Sequence, residues 1–277
     1  MNELGIEDEY QMMSQVEHIL KRPDSYIGSV DSLEKSAWVW NRAKGVIEQR
    51  SIRMVPGLYK IFDEILVNAA DNYQRKGGSA PMSYIAVKLD EESGWVSVEN
   101  DGRGIPVERH KKADMWVAEL IFGQLLTSSN YDDSVAKVVG GRNGYGAKLT
   151  NIYSTDFVVT TGDARRRKQL RKAWRANMHK SDPAEITSYS GREDFTRIEF
   201  RPDLPRFGMR RLDADTLDLM ARRVVDVAGV SPASIKVSLD GKPFKLKDFM
   251  AYFRLYEPAL RAMEAGDVAT SAKDTAA

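Results

Sequence analysis

Residues 55–72 read VPGLYKIFDEILVNAADN, and the spacing inside that stretch decides the architecture around it. Pro56 suits the first turn of a helix, where its missing N–H is no loss. Leu58, Ile61, Phe62, Ile65, Leu66 and Ala69 then recur at three- and four-residue steps, which predicts an amphipathic helix from residue 58 to about 75, stopped by Gly77 and Gly78. Beside the apolar stripe, Glu64, Asn68 and Asn72 stand four apart and so drift only ~40° per step around the axis. One carboxylate and two carboxamides therefore share a polar row. A carboxylate can orient and deprotonate a water, and a carboxamide oxygen suits a magnesium ion that keeps its phosphate partners. The same row would also serve as a solvated helix face.

Downstream the period changes from helical to alternating. Tyr84, Ala86 and Lys88 alternate with Ile85, Val87 and Leu89, residues 91–94 turn, and residues 95–99 alternate again, which reads as a β-hairpin. Its second strand runs into Asn100-Asp101-Gly102-Arg103-Gly104-Ile105-Pro106. Two glycines there let the backbone turn sharply and admit a flat ligand close to the main chain. The Asn100 oxygen could accept a hydrogen bond from an exocyclic amino group such as that of adenine; a plain Gly-rich turn is the other reading.

Gly140-Gly141-Arg142-Asn143-Gly144-Tyr145-Gly146-Ala147-Lys148 closes a long stretch, 127–146, rich in Ser, Asn, Asp and Gly. Loop amides, a helix start and an ammonium together make a polyphosphate site. It is not a Walker A loop, because Ala147 separates Gly146 from Lys148 and Leu149 follows where a hydroxyl is needed. Further strands are expected at 157–161, 170–178, 197–200 and 235–239, with helices at 15–22, 118–126 and 212–228.

The whole chain sets wider limits. Its 277 residues carry 42% hydrophobic and 29% charged side chains with a net charge of +1, so no global charge announces a nucleic-acid binder. Cysteine is absent, which excludes disulfides, thiolate catalysis and Cys-based zinc sites. The acidic N-terminus has neither the basic start nor the apolar run of a signal peptide, and the chain reads as soluble and intracellular. A change of texture at 202–209 places a domain boundary there, giving domains at 1–207 and 208–262 and an unpacked tail at 263–277. His18, His110 and His179 show no ligand spacing. Residues 165–175 hold seven basic side chains in eleven, a solvated face or a contact for DNA or nuclear import.

Taken in order, the polar helix row, the Asn100 turn and the Gly140 loop resemble the N, G1 and G2 boxes of the GHKL ATPases. Residues 22–29, 55–72, 120–133 and 140–148 resemble, more narrowly, the ATPase domain of eukaryotic type IIA DNA topoisomerases, a likeness covering about residues 10–256. It implies an α/β (α+β) sandwich of the GHKL (Bergerat) type, with a mixed β-sheet and helices on one face, followed by the start of an S5-like α+β transducer domain. ATP and Mg²⁺ would be bound. The resemblance makes Glu64 the general base and Asn68 the magnesium ligand, and puts Asn72 near ribose and phosphates. Asn100 would read the adenine amino group where most GHKL proteins have aspartate, with Ile105 and Thr196 as walls. Ser128, Ser129 and Asn130 would touch ribose and α-phosphate; Gly141, Arg142, Asn143, Gly144, Tyr145, Gly146, Ala147 and Lys148 would wrap the β- and γ-phosphates. Tyr10 is similar to the strap tyrosine that reaches a dimer partner's nucleotide.

The implied function is the ATP-hydrolysing gate of an enzyme that passes duplex DNA, with DNA as partner, a nucleotide-dependent homodimer, no membrane, and a nuclear location with a mitochondrial one left open. The alternatives are a nucleotide-binding dimerisation module with little turnover, or a GHKL chaperone or mismatch-repair ATPase. The family's transducer carries a Gln-Thr-Lys loop whose lysine reaches the γ-phosphate, and no Gln-Thr-Lys occurs in this sequence. Binding is therefore expected to exceed catalysis, and the chain to be monomeric without nucleotide.

Overall fold

Ser14 starts the first helix, α1 (Gln15–Lys21), with a capping box: its hydroxyl accepts from Glu17 N at 3.2 Å while the Glu17 carboxylate accepts from Ser14 N at 2.7 Å. Pro23 ends it, as expected. The computed structural model describes residues 13–74, 78–125 and 145–264. Its other helices are α2 (Pro56–Asp71), α3 (Val117–Gly123), α4 (Gly146–Ile152), α5 (Ala214–Val230), α6 (Phe249–Phe253) and α7 (Glu257–Glu264). A 3₁₀ turn, Asn72–Gln74, continues α2.

Strands β3 (Tyr84–Leu89), β4 (Val96–Asp101), β7 (Ser154–Asp163), β8 (Lys168–Arg175), β9 (Lys180–Ser181), β10 (Glu185–Ser188), β11 (Phe195–Pro202), β12 (Lys236–Leu239) and β13 (Lys242–Pro243) form one sheet in the order β10-β8-β7-β11-β4-β3-β12-β13, with β9 on β8. Every pairing is antiparallel except β12 with β3, which makes the sheet mixed. Alternation sends Ile85, Val87, Val96, Val98, Phe157, Val159, Ile198 and Phe200 to one face, where they meet Leu58, Ile61, Phe62, Ile65 and Leu66 of α2 in the main core. Tyr84, Lys88, Glu99, Arg197 and Glu199 occupy the other face, which no helix among the described residues covers. This is the expected two-layer sandwich.

Two features lie beyond the local sequence pattern. β1 (Leu33–Asn41) and β2 (Val46–Met54) form a hairpin of their own beside α5. Its buried Val39, Ile52 and Met54 are too few and widely spaced to show clean alternation. Across the change of texture at 202–209 the described residues share one hydrophobic cluster. Leu212, Leu217, Met220, Ala221, Val224, Ile235, Val237 and Leu239 belong to the main core, and β12 pairs with β3. The proline-rich texture is a short 3₁₀ turn, Leu204–Phe207, closed by Gly208 at φ +65°. A short strand pair, β5 (Arg109–His110) with β6 (Met115–Trp116), precedes α3.

Candidate functional site

At one end of the sheet, Asn100 on β4 faces Thr196 on β11, which faces Thr161 on β7. Three polar side chains thus lie in a row across adjacent strands, on the helix-covered face. Asn100 Nδ2 donates to Asp101 O at 2.7 Å, an orientation that leaves Oδ1 as its acceptor. Thr196 Oγ1 is buried without a hydrogen-bond partner. A buried orphan hydroxyl is costly, so its presence at this spot calls for an explanation.

The turn that follows β4 is pinned amide by amide. Arg103 N donates to Asn72 Oδ1 at 3.2 Å, Gly104 N to Asp194 at 3.4 Å, Ile105 N to Thr161 Oγ1 at 3.2 Å and Val107 N to Asp163 at 3.0 Å. Four side chains from three parts of the chain therefore hold one loop. Gly102 adopts φ +94°, and a Cβ there would sit 2.9 Å from that of Met82, so only glycine fits. Asn72 Nδ2 also donates to Arg103 O at 2.9 Å, so both ends of its amide hold this loop. Thr161, Asp163 and Asp194 escaped the sequence reading, because a threonine or aspartate near a strand end carries no local mark of the distant amide it will accept from.

Glu64 and Asn68 lie half-buried on α2, one turn apart. The Glu64 carboxylate forms an ion pair with Lys60, the residue one turn earlier, and lies against Gly146, where any Cβ would collide with it. Thr150 Oγ1 donates to Ile61 O at 2.8 Å and Asn151 Nδ2 to Phe122 O at 3.0 Å, fixing α4 to α2 and α3. Lys148 is 2% exposed, and burial draws its ammonium down to about 8. Ile105, Tyr145 and Ala147 pack against the main core, and the Tyr145 hydroxyl accepts from Gln15 Nε2 at 3.3 Å.

The structure thus sets Glu64 against Gly146, with Asn68 one turn on along α2, and places Asn100 opposite Thr196, whose neighbour Thr161 accepts from Ile105 N. Tyr10, Ser128, Ser129, Asn130, Gly141, Arg142, Asn143 and Gly144 lie outside the described residues. A cleft of about 380 Å³ opens on the uncovered face between Tyr84, Glu99, Tyr189 and Arg197, and it does not include Asn100, Thr196 or any residue of α2. Its carboxylates Asp101 and Asp194 already accept from main-chain amides of residues 79, 83, 84, 104 and 164, so it is a by-product of loop anchoring.

Residues 55–206 match the model of the family described as histidine kinase-, DNA gyrase B-, and HSP90-like ATPase. The chain is 48% identical over 260 residues to DNA topoisomerase 2 of Candida glabrata, covering 94% of this chain and 18% of that protein. Among solved structures, it resembles the ATPase region of Saccharomyces cerevisiae topoisomerase II with a TM-score of 0.86 and 48% identity, covering 91% of this chain and 66% of that one. The 43K ATPase domain of Thermus thermophilus gyrase B, at 24% identity and a TM-score of 0.58 over 85% of this chain and 52% of that one, shares the fold. The chain therefore spans under a fifth of the length of the curated relative it matches. By the match over 55–206, the sandwich that those residues build and the likeness over nearly its whole length to eukaryotic topoisomerase 2, this chain belongs to the histidine kinase-, DNA gyrase B- and HSP90-like ATPase family, and its fold is the GHKL ATPase fold.

Proposed function

We propose that the chain binds and hydrolyses ATP as the N-terminal gate of a type IIA DNA topoisomerase, which couples the nucleotide to passage of one duplex through another. The observation that carries this is the orphan hydroxyl of Thr196, buried beside Asn100 on the face that also holds the Glu64 row. A purine edge suits both: its amino group donates to Asn100 Oδ1, and a ring nitrogen or bridging water meets the orphan Thr196 Oγ1. The pinned loop of residues 102–107 keeps that slot open, with Ile105 as its apolar wall.

The phosphates extend toward α4, where the Lys148 ammonium and the main chain at Gly146 and Ala147 receive their charge. Glu64 stands at this end as the base for the attacking water, with Lys60 fixing the carboxylate's position. Asn68, one turn on, presents a neutral oxygen that fits a magnesium ion arriving with its phosphate ligands. Magnesium would neutralise charge on the transferring phosphoryl group.

In the parent enzyme, two such domains would close around DNA as a homodimer, most naturally in the nucleus. No helix among the described residues is long and apolar enough to cross a membrane. Steady-state ATPase measurements with and without duplex DNA test the proposal. Turnover abolished in Glu64→Gln but present in the parent chain supports it; nucleotide binding with no turnover in either sinks the hydrolytic part.

A further inference from the structure

Four of the seven cations within residues 165–175 are matched by acids of this chain. Arg166 bridges Asp163 at 2.9 Å and Glu108 at 2.6 Å, Arg175 lies 3.0 Å from both Asp156 and Asp182, Lys172 is 2.7 Å from Glu119, and Arg171 is 3.8 Å from Glu185. Arg165, Arg167 and Lys168 differ. They are exposed at the turn between β7 and β8, and among the described residues none pairs with an acid.

Two other turns meet this one. The Arg166–Glu108 bridge draws in the turn between β5 and β6, which exposes the unpaired Lys111 and Lys112. Residues 189–194 are held to it by Tyr189 N donating to Arg167 O at 3.0 Å and Ala164 N to Asp194 Oδ1 at 2.8 Å, and they add exposed Arg192 beside exposed Glu193. Six cations without acid partners among the described residues therefore gather at one end of a chain whose net charge is +1. Asp163 also accepts from the amides of Val107 and Arg166 at 3.0 and 2.9 Å, so the turns are displayed on a braced frame.

The surroundings decide what such a surface can take. None of the exposed large apolar side chains lies on these turns, and the Tyr189 ring packs on Phe195 while its hydroxyl donates to Glu193 O at 2.7 Å. There is thus no stacking platform for unpaired bases and no apolar seat for a protein. What remains is charge spread across three turns, which suits the regularly spaced phosphates of a double helix.

We propose that the turns at 109–112, 165–168 and 189–192 form a contact surface for the phosphate backbone of duplex DNA. The proposal rests on the reading that the parent enzyme acts on DNA, and it concerns a face of the chain separate from the nucleotide site.

Fluorescence anisotropy of a labelled duplex of about 30 base pairs, titrated with the 277-residue chain at several salt concentrations, tests it. The triple substitution Arg165→Glu, Arg167→Glu, Lys168→Glu is expected to weaken binding about tenfold or more and to flatten the salt slope by roughly 3, at about 0.9 for each phosphate no longer neutralised. Lys111→Gln with Lys112→Gln, on a different turn, should flatten it by roughly 2. The exposed pair Arg210→Glu, Arg211→Glu, away from these turns, should leave the slope nearly unchanged. An equal loss from that pair would show general charge rather than a surface and overturn the proposal. So would variants that bind vesicles of anionic phospholipid more weakly while holding the duplex as before, which would make this a membrane contact. ATP binding measured without DNA reports separately on the nucleotide reading, and should be the same in all these proteins.

Discussion

Helices α2 and α5 are near twins in pattern and opposites in use. Each spans more than four turns, each lays an apolar stripe on the same core, and each carries charged residues along its edges. On α5 the edge groups are closed off within the chain. Asp215 and Asp218 pair with Arg50, Asp218 with Arg42 at 3.0 Å, and Arg222 with Asp226 and the hydroxyls of Tyr252 and Tyr256. On α2 one edge is closed in the same way, Asp63 meeting Arg223 at 2.7 Å, while the other edge carries Glu64 and Asn68 toward α4. The lesson lies in two adjacent carboxylates. Asp63 and Glu64 are ~100° apart around the helix, and that rotation alone turns one to Arg223 on α5 and the other to Gly146 on α4.

The sharpest way to break the comparison is to neutralise each in turn. Glu64→Gln should lower ATP turnover by ~10² to 10⁴ with nucleotide affinity nearly unchanged, the signature of a lost general base. Asp63→Asn should leave turnover close to that of the parent. If both fall alike in a single-turnover assay, the division of labour within α2 is wrong.

Next in size is the shared core. Leu66→Ala on α2 and Leu217→Ala on α5, both fully buried, should each lower unfolding free energy by about 2–5 kcal/mol in denaturant titrations that show one transition. Two separate transitions would restore the boundary near residue 207 and undo the pairing of the two helices in one core.

Thr196→Val sharpens the contrast between site and scaffold. With no partner for its hydroxyl, the valine variant should be as stable as the parent or more so by about 1 kcal/mol, yet bind ATP about tenfold more weakly. A thermal melt paired with a binding isotherm reads both; loss of stability with unchanged affinity would make Thr196 structural.

Lys148 brings a pH dependence. Burial lowers its folded-state value to about 8, below that of the unfolded chain, so the folded chain releases this proton first. Its charging therefore disfavours the fold below about 8, and that penalty fades as pH rises from there toward the ordinary lysine range. Nucleotide binding runs the other way: affinity should fall as pH climbs past about 8, by at most about tenfold per unit, because the phosphates lose a cation. Calorimetry should find the drop in the parent chain and not in Lys148→Arg. The smallest effect belongs to Arg223→Ala, which removes a partly exposed ion pair and should cost about 0.2–1 kcal/mol of stability without changing turnover.

Local pattern carried much of this molecule. The stripe Leu58, Ile61, Phe62, Ile65 and Leu66 dictates α2, and the alternation around Ile85, Val87 and Val98 dictates the β3–β4 hairpin that ends in Asn100, because a helix or strand repeats side-chain direction over a few residues whatever surrounds it. The polar row of Glu64 and Asn68 and the glycines at 102 and 104 were legible for the same reason. Tertiary structure alone decided the rest. It paired β12 with β3, drawing residues 212–239 into the first core, tied the Asn72 amide to the Arg103 backbone, and enlisted Thr161, Asp163 and Asp194 to hold a loop they lie about 55 to 90 residues away from. Nothing in the neighbouring residues specifies such partners, since a hydrogen bond across that distance exists only after the sheet and its covering helices have set the two groups side by side.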